Sequence, residues 1–335
     1  MYNKVLGGLL GAAAGDAMGA ATETRTRRQI EKKFGGYVTE FYAPPMDTFA
    51  RGNKAGQVTD DFSLAYMIVK ELVAEGKVNR EASIRGLLKW ADTPEYFERF
   101  AGPTTRAGIA ELKGEKLPED VFVPVNENRR ATNGAGMKTA PIALLSGGNI
   151  DKAITYSMTV CGLTHNNNIA LSGAGAIAAA TAAAMKDKAT LYDVVQASIY
   201  GAVEGDRFGR ANGDTLAGAS VEARIKWAVN IAMQAPNLDQ AINDIEDYIG
   251  SGLMTVEAVP AAIGLCVAAR GNTVDGICAA VNIGDDTDTV ATMVGGILGT
   301  LNGADSMPGH YAEVIEEANG FHLDKLAAEI VEFIK

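Results

Sequence analysis

Apolar runs with helical spacing recur along almost the whole chain of 335 residues, and they constrain its fold more than any other feature. The alternation of apolar and polar residues that is typical of a half-buried strand is scarce. Many of the runs consist of Ala and Gly, as in residues 169–185, and the chain has 38 glycines. Small side chains let helix axes approach closely, so these runs suit helices packed against one another. We therefore predict an all-α fold.

The periodicity predicts fourteen helices. They are residues 5–18, 61–75, 80–90, 104–112, 136–145, 150–161, 169–185, 191–203, 215–234, 238–249, 256–269, 273–281, 287–301 and 323–334. Two stretches rich in Pro, Gly and charge, residues 35–57 and 115–132, are expected to be long loops that carry binding function. No change of composition resembles a linker and no repeat has a fixed period, so residues 1–335 are predicted to form a single compact domain.

Composition excludes several classes of partner. The net charge of −11 argues against a general affinity for nucleic acid or for an anionic membrane, since both require a basic face. The apolar run at 169–185 is mostly Ala and Gly, which indicates a buried helix rather than a bilayer span. Three cysteines, each in an apolar run, indicate buried reduced thiols and a cytoplasmic location. The oligomeric state is left open.

Two clusters of carboxylate and hydroxyl side chains lie 225 positions apart (286 − 61). They are Thr59-Asp60-Asp61 and Asp286-Thr287-Asp288-Thr289. Each precedes an apolar run, so each is expected at a helix N-terminus. Adjacent anions repel unless a cation lies between them, and oxygen ligands without thiolate or imidazole suit Mg²⁺, Mn²⁺ or Ca²⁺ better than Zn²⁺. The two clusters together predict one site for hard cations.

Helix capping is the alternative for both clusters. Thr and Asp are ordinary N-caps, because their oxygens accept from free backbone N–H groups. Taken singly, either cluster is better explained in this way. A cap uses one oxygen, however, and two consecutive aspartates at one helix start with an Asp-Thr-Asp-Thr run at another exceed that need. We therefore favour the metal site.

Five motifs in this order resemble the ADP-ribosylglycohydrolase family, which includes the dinitrogenase reductase-activating glycohydrolase. They are the segment GAAAGDAMG at 11–19 with Glu23 after it, Thr59-Asp60-Asp61, Asn133-Gly134-Ala135-Gly136-Met137, Thr164-His165, and Asp286-Thr287-Asp288-Thr289. The resemblance covers residues 5–308. It implies an all-α fold in which two divalent cations, Mg²⁺ or Mn²⁺, lie between two acidic helix N-termini.

The resemblance also implies roles for individual residues. The metal ligands would be Thr59, Asp60, Asp61, Asp286, Asp288 and Thr289. Glu23 would be a movable ligand that yields to substrate, and Glu23 and Asp61 are the candidates for activating water. Ribosyl cleavage passes through an oxocarbenium-like state, which carboxylates stabilise while metals orient the ribose.

Five further residues are candidates for substrate binding: Asn133, Gly134, Gly136, His165 and Asp285. The two glycines are expected to offer backbone N–H groups to a phosphate, although a glycine pair in a loop is by itself a weak signal. A lone His before an Ala-rich helix is more often structural, and the family placement moves His165 to a cavity wall or a phosphate contact. Asp285 adds a negative charge where the family often has Gly.

The expected activity is hydrolysis of the ribosyl C1 glycosidic bond of an ADP-ribosylated substrate. Phe62 and Asp285 depart from the family pattern, so an N-glycosidase of a smaller riboside or nucleoside is the alternative. A metal-dependent phosphohydrolase and a non-catalytic protein that binds ADP-ribose are further alternatives. Arg106 is a candidate phosphate ligand or an ordinary solvated charge.

Overall fold

The computed structural model describes residues 1–116 and 128–335, and helices make up their regular structure. In that part of the chain there are seventeen α-helices, three short 3₁₀ turns and no β-strand, so the all-α prediction is confirmed. The helices are α1 Tyr2–Gly19, α2 Arg27–Phe34, α3 Asp60–Glu75, α4 Arg80–Ala91, α5 Pro94–Phe100, α6 Pro103–Lys113, α7 Thr139–Leu144, α8 Ile150–Cys161, α9 Asn168–Met185, α10 Leu191–Asn212, α11 Val221–Gln234, α12 Leu238–Tyr248, α13 Thr255–Ala268, α14 Thr273–Val281, α15 Thr287–Asn302, α16 Gly309–Asn319 and α17 Leu323–Ile334.

Helices α1 and α15 are packed backbone against backbone along their length. Glycines at every fourth position of α1, which form one stripe on a helix, make this approach possible. They are Gly7, Gly11, Gly15 and Gly19, opposite Gly299, Gly295, Ala291 and Asp288. A Cβ added at Gly11 would lie 2.8 Å from the carbonyl carbon of Gly295 and closer still to its oxygen. Any larger side chain would therefore force the two helices apart.

The α1–α15 contact continues to the ends of both helices and joins the two distant parts of the sequence. The Thr287 hydroxyl donates to the Gly19 carbonyl oxygen at 2.9 Å, and the Thr22 hydroxyl lies 3.0 Å from the Thr287 hydroxyl. A Cβ at Gly19 would lie 2.6 Å from the carbonyl carbon of Thr287. The residues just after α1 are thus held against the first turn of α15.

Helix α9 is a second backbone-packed element. All 18 of its residues are buried, and Gly175 faces Gly201 of α10 so closely that neither position has room for a Cβ. Asn167 begins the helix by accepting from the Ala170 N–H at 2.9 Å. Among the described residues it is the one helix long and apolar enough to cross a membrane, but it lies entirely inside the fold.

Most of the predicted helices are present, and the differences have local causes. Helices α2, α5 and α16 were not predicted, because short charged helices carry little apolar periodicity; α2 buries Ile30 alone. The predicted helix at 215–234 is wrong at its start, since Ser220 caps α11, and α10 extends to Asn212. The loop at 35–57 contains no helix. Residues 117–127 of the other predicted loop lie outside the described part of the chain.

Candidate active site

A cavity of about 370 Å³ lies where the starts of α3 and α15 meet the segment after α1. Nine of the residues predicted for the site line this cavity. They are Glu23, Asp60, Asp61, Asn133, Gly134, His165, Asp286, Asp288 and Thr289. The structure thus brings the two acidic clusters, 225 positions apart, to one place.

A buried carboxylate from α1 organises the start of α3. Asp16 accepts from the Thr59 N–H, the Thr59 hydroxyl and the Phe62 N–H, each at 2.9 Å. Thr59 is the N-cap residue, but its own oxygen accepts from the Asp61 N–H only at 3.4 Å. Asp16 supplies most of the capping, and the carboxylates of Asp60 and Asp61 are left to the cavity.

The start of α15 is not capped by an aspartate side chain. Asp286 is the N-cap residue, yet it makes no side-chain cap hydrogen bond. Its Oδ2 instead accepts from the Asn133 amide at 2.6 Å. Thr289, in the first turn of α15, lines the same cavity as Asp286 and Asp61. Capping therefore does not explain this cluster.

Three carboxylates from two segments converge closely enough to share a cation. Oxygens of Glu23, Asp286 and Asp288 lie within 4.8 Å of one another. Asp61 Oδ2 and Asp288 Oδ1 are buried and have no hydrogen-bond partner. Buried oxygens without partners are costly, and a divalent cation would satisfy them. The donors are all oxygens, which fits a hard cation such as Mg²⁺ or Mn²⁺.

Burial and mutual repulsion raise the pKa of every carboxyl group in the cluster. Burial, then the charges of Asp286 and Asp60, raise the pKa of Glu23 to about 8. Burial and the neighbouring Asp16 raise the pKa of Asp60 to about 7. The pKa values of Asp61, Asp286 and Asp288 are also raised, chiefly by burial. A bound cation would counter both causes and favour the ionised forms.

His165 is buried in the cavity wall and hydrogen-bonded through both ring nitrogens. Nδ1 lies 2.8 Å from the Thr164 hydroxyl and Nε2 lies 3.1 Å from the Thr132 hydroxyl. Burial, with the charges of Lys138 and Arg130, lowers its pKa well below the ordinary value. The ring is therefore neutral near pH 7.

Three of the predicted site residues do not line the cavity. The Thr59 hydroxyl is bound to Asp16, and Gly136 is packed against Met293 and Val259 with its N–H bonded to the Asn133 carbonyl oxygen. Asp285 is exposed and lies outside the lining, although its charge contributes to the raised pKa of Glu23.

The two other residues singled out in the sequence lie away from the cavity as well. Phe62 is fully buried against Tyr66 and Phe321. Arg106 donates to the backbone carbonyl oxygens of Phe97, Glu98 and Ala101. It therefore holds the end of α5 and does not line the cavity.

Sequence reasoning missed two buried ionisable residues beside the site. Asp16 is a charge inside an apolar helix, and that position was itself a usable signal. Lys138 is only 1% exposed, and its ammonium donates to the Gly134 carbonyl oxygen. Nothing in the local pattern around Lys138 distinguishes it from a surface lysine. An apolar side of the cavity, which includes Phe49, Phe100 and Leu253, was also not predicted.

A family model for ADP-ribosylglycohydrolases matches residues 1–334. The chain belongs to the ADP-ribosylglycohydrolase family. The resemblance inferred from the five motifs is thereby confirmed, as is the expectation of a glycoside hydrolase. Members of the family hydrolyse ADP-ribosylated substrates and generally use divalent metal ions, for which the acidic group in this cavity is a candidate site.

Three known proteins illustrate the relationship. The chain is 28% identical over 337 residues to the uncharacterized protein YegU of Escherichia coli (strain K12), covering 98% of this chain and 97% of that one. It is 25% identical to the ADP-ribosylarginine hydrolase Tri1 of Pseudomonas putida (strain GB-1), over 98% and 78% of the two chains. A solved structure, "ADP-ribosylglycohydrolase-related protein complex", shares the fold with a TM-score of 0.69 at 19% identity, over 100% of this chain and 99% of that one.

Proposed function

We propose that this ADP-ribosylglycohydrolase is a divalent-metal-dependent enzyme that cleaves the ribosyl C1 glycosidic bond of an ADP-ribosylated substrate. The observation that supports this most is the convergence of five carboxylates on one cavity. Two buried oxygens there, Asp61 Oδ2 and Asp288 Oδ1, have no hydrogen-bond partner. Such a cluster is electrostatically costly, so it suits a protein that uses a cation in that place.

We further propose that two Mg²⁺ or Mn²⁺ ions bind in the cavity. Their ligands would come from Asp60, Asp61, Asp286, Asp288 and Thr289, together with Glu23, which converges with Asp286 and Asp288. Thr59 would support this group from behind through its bond to Asp16. When bound, such ions neutralise the carboxylates, orient a ribose diol and act as Lewis acids toward water.

The protein side chains then have distinct tasks. Glu23 and Asp61 are the proposed acceptors of the proton from the attacking water, since both line the cavity and bound cations would hold both carboxylates in the ionised form. The remaining carboxylates stabilise the positive charge that develops on the ribose. Asn133 fixes the carboxylate plane of Asp286 through its 2.6 Å hydrogen bond. Neutral His165 takes no part as a base and orients substrate at the wall.

A small uncharged riboside is the second candidate substrate, and the charge of the cavity favours it. Among the described residues, Arg99 is the one Lys or Arg side chain in the lining. Its guanidinium already donates to Asn53 Oδ1 and to the Arg51 carbonyl oxygen, each at 2.7 Å, and it stacks on Phe100. A diphosphate would therefore gain little from protein cations, whereas a riboside needs none.

Metal binding is tested first by titration calorimetry with Mn²⁺. We expect about two sites per chain, because one divalent ion would leave most of the negative charge of the five carboxylates uncompensated. Asp60→Asn and Asp288→Asn should each weaken binding, while the exposed Asp187→Asn is the matched control and should bind as the wild type does. Failure of the wild type to bind Mn²⁺ at millimolar concentration near neutral pH would contradict the metal proposal.

Product analysis tests the reaction. Purified protein with Mg²⁺ or Mn²⁺ is incubated with ADP-ribosyl-arginine and with a panel of nucleosides. Free ADP-ribose supports the first candidate, and free ribose from nucleosides supports the second. Glu23→Gln should lower kcat by about 10²-fold if the carboxylate assists proton transfer. Release of inorganic phosphate alone, from phosphate esters, would instead indicate a phosphohydrolase.

A further inference from the structure

A path of hydrogen bonds runs from a buried ammonium group to the cavity wall. Lys138 Nζ lies 3.5 Å from the Thr164 hydroxyl, which lies 2.8 Å from His165 Nδ1. On the other side of the ring, His165 Nε2 lies 3.1 Å from the Thr132 hydroxyl. His165 and Thr132 line the cavity, and Lys138 does not. The path therefore connects a residue behind the site to the surface that substrate meets.

We propose that Lys138 is a positioning residue that fixes the direction of this path, which means that it decides which atom donates and which accepts in each hydrogen bond. As a result, the Thr132 hydroxyl in the cavity wall presents a hydrogen-bond donor to the substrate. The proposal rests on the proposed function for the identity of the substrate. The direction of the path does not depend on that function and can be measured without it.

The direction follows from the donors and acceptors available. Burial lowers the pKa of Lys138, while the neighbouring carboxylates oppose this shift and favour the ammonium form. In that form the nitrogen can only donate, so the Thr164 oxygen accepts from Lys138. The Thr164 proton is then free to go to His165 Nδ1, the one protein acceptor within reach among the described residues. With Nδ1 accepting, the neutral ring carries its proton on Nε2 and donates it to the Thr132 oxygen.

The opposite direction leaves a proton without an acceptor. If Nδ1 carried the ring proton, the Thr164 oxygen would accept from both Lys138 and His165. Its own hydrogen would then have no acceptor among the described residues. A polar group without a partner at a partly buried position is disfavoured. Lys138 thus selects one tautomer of a neutral histidine.

The consequence for binding lies at Thr132. Its oxygen accepts from His165, and its hydroxyl proton has no acceptor in the part of the chain that the structure describes, so that proton is available to the cavity. The wall therefore favours a substrate oxygen that accepts, such as a carbonyl, ether or phosphate oxygen. In the reversed path Thr132 would donate to His165 and offer the substrate only lone pairs.

Lys138 also holds the turn that carries Asn133. Its ammonium donates to the Gly134 carbonyl oxygen, and the Asn133 amide is bonded to Asp286. Gly134 itself lies against the ring of His165, since an added Cβ there would be 2.7 Å from Nε2. The Lys138 ammonium thus supports both the turn at Gly134 and the imidazole of His165, which lies against that turn.

The tautomer is measured by long-range ¹H–¹⁵N NMR on histidine-labelled protein, which distinguishes a protonated ring nitrogen from a bare one. Signals from His310 and His322 are assigned by replacing each with Gln. We expect a bare Nδ1 and a protonated Nε2 on His165. Lys138→Met should raise the Nδ1-protonated population, and Lys138→Arg should restore the wild-type pattern. A wild-type ring protonated on Nδ1, or a Lys138→Met spectrum identical to the wild type, would overturn the proposal.

Two further variants distinguish an effect on the hydrogen-bond path from a loss of folding. Thr164→Val removes the middle of the path while it keeps the buried lysine, and it should change the tautomer as Lys138→Met does. Lys152→Met, an exposed lysine on α8, is the matched control and should change nothing. A Thr164→Val protein that is folded by circular dichroism and keeps the wild-type tautomer would contradict the proposal.

Kinetics then tests the effect on substrate. Lys138→Met should raise KM about tenfold, the equivalent of about 1.4 kcal/mol, with a smaller change in kcat, since a ground-state contact is lost. The double variant with Thr164→Val should be no worse than the poorer single one, because both interrupt the same path. A fall in kcat with unchanged KM, or additive effects, would refute the assigned role. An enzyme inactive on every riboside would contradict the proposed function and leave the tautomer result standing.

Discussion

Gly11→Ala is the sharpest test of how the fold builds this site. The new Cβ would lie 2.8 Å from the carbonyl carbon of Gly295. Carbon atoms in ordinary contact are about 3.5 Å apart or more, so the contact with this carbon alone requires a separation of roughly 0.7 Å, and the nearer carbonyl oxygen requires more. The obstacle is backbone, so no side-chain rotation can relieve it.

The cost follows from the length of the interface. A gap of about 0.5–1 Å removes a quarter to a half of the dispersion energy of each contact, and a rigid helix transmits the gap along its whole length. Overpacking of a core typically costs about 1–3 kcal/mol, and the gain of helix propensity from Gly to Ala is at most about 1 kcal/mol. Since the clash is between backbones, we expect a net loss of about 3 kcal/mol.

Urea denaturation with a matched control provides the assay. Gly309 is at the start of α16, and a Cβ there would meet nothing within 4 Å, so Gly309→Ala should be neutral or slightly stabilising. Gly11→Ala should also weaken Mn²⁺ binding, because the first turn of α15 carries Asp286 and Asp288. A Gly11→Ala protein within about 0.5 kcal/mol of the wild type would refute the reasoning, because surface substitutions already vary by that amount.

Three further predictions concern buried ionisable groups. Because the pKa of Glu23 is raised to about 8 and that of Asp60 to about 7, above their unfolded values, the native state binds more protons between about pH 4 and pH 8. Metal-free protein should therefore lose thermal stability as the pH rises through that window, and excess Mg²⁺ should remove the loss; a midpoint that rises with pH in EDTA would contradict this. Asp16→Asn should cost about 1–3 kcal/mol in urea denaturation, since an amide cannot accept all three of its hydrogen bonds, and unchanged stability would count against the capping role. Burial raises the pKa of Cys266, and it raises that of Cys278 to about 12, so a thiol reagent should modify neither at pH 8 until the protein is unfolded.

Several features of this protein were predictable because their cause is local. Helical periodicity and the excess of Ala and Gly predict an all-α fold, since burial of one helix face follows from the spacing of apolar residues. The acidic character of the two clusters was predictable from their charge density alone. The burial of the cysteines, such as Cys161, follows from the apolar runs around them and agrees with the structure.

The errors of sequence reasoning also have local causes. Short charged helices such as α2 bury one apolar residue, and a single residue has no period. Gly136 was assigned to the site as one of a pair of motif glycines, and Asp285 because it stands where the family often has Gly, and neither residue lines the cavity. Neighbours along a helix start point in different directions, so proximity in sequence does not place a side chain in a cavity.

The sequence by itself determined most of the helices, their small-residue faces and the chemical character of the two acidic clusters. Only the tertiary structure decided that these clusters meet, because their meeting depends on the backbone contact of α1 with α15 and on no local pattern. The same packing made Asp16 a cap for another helix and buried Lys138 behind His165. A carboxylate or an ammonium group has its role set by what surrounds it, and both Asp16 and Lys138 contact groups that are distant in the chain.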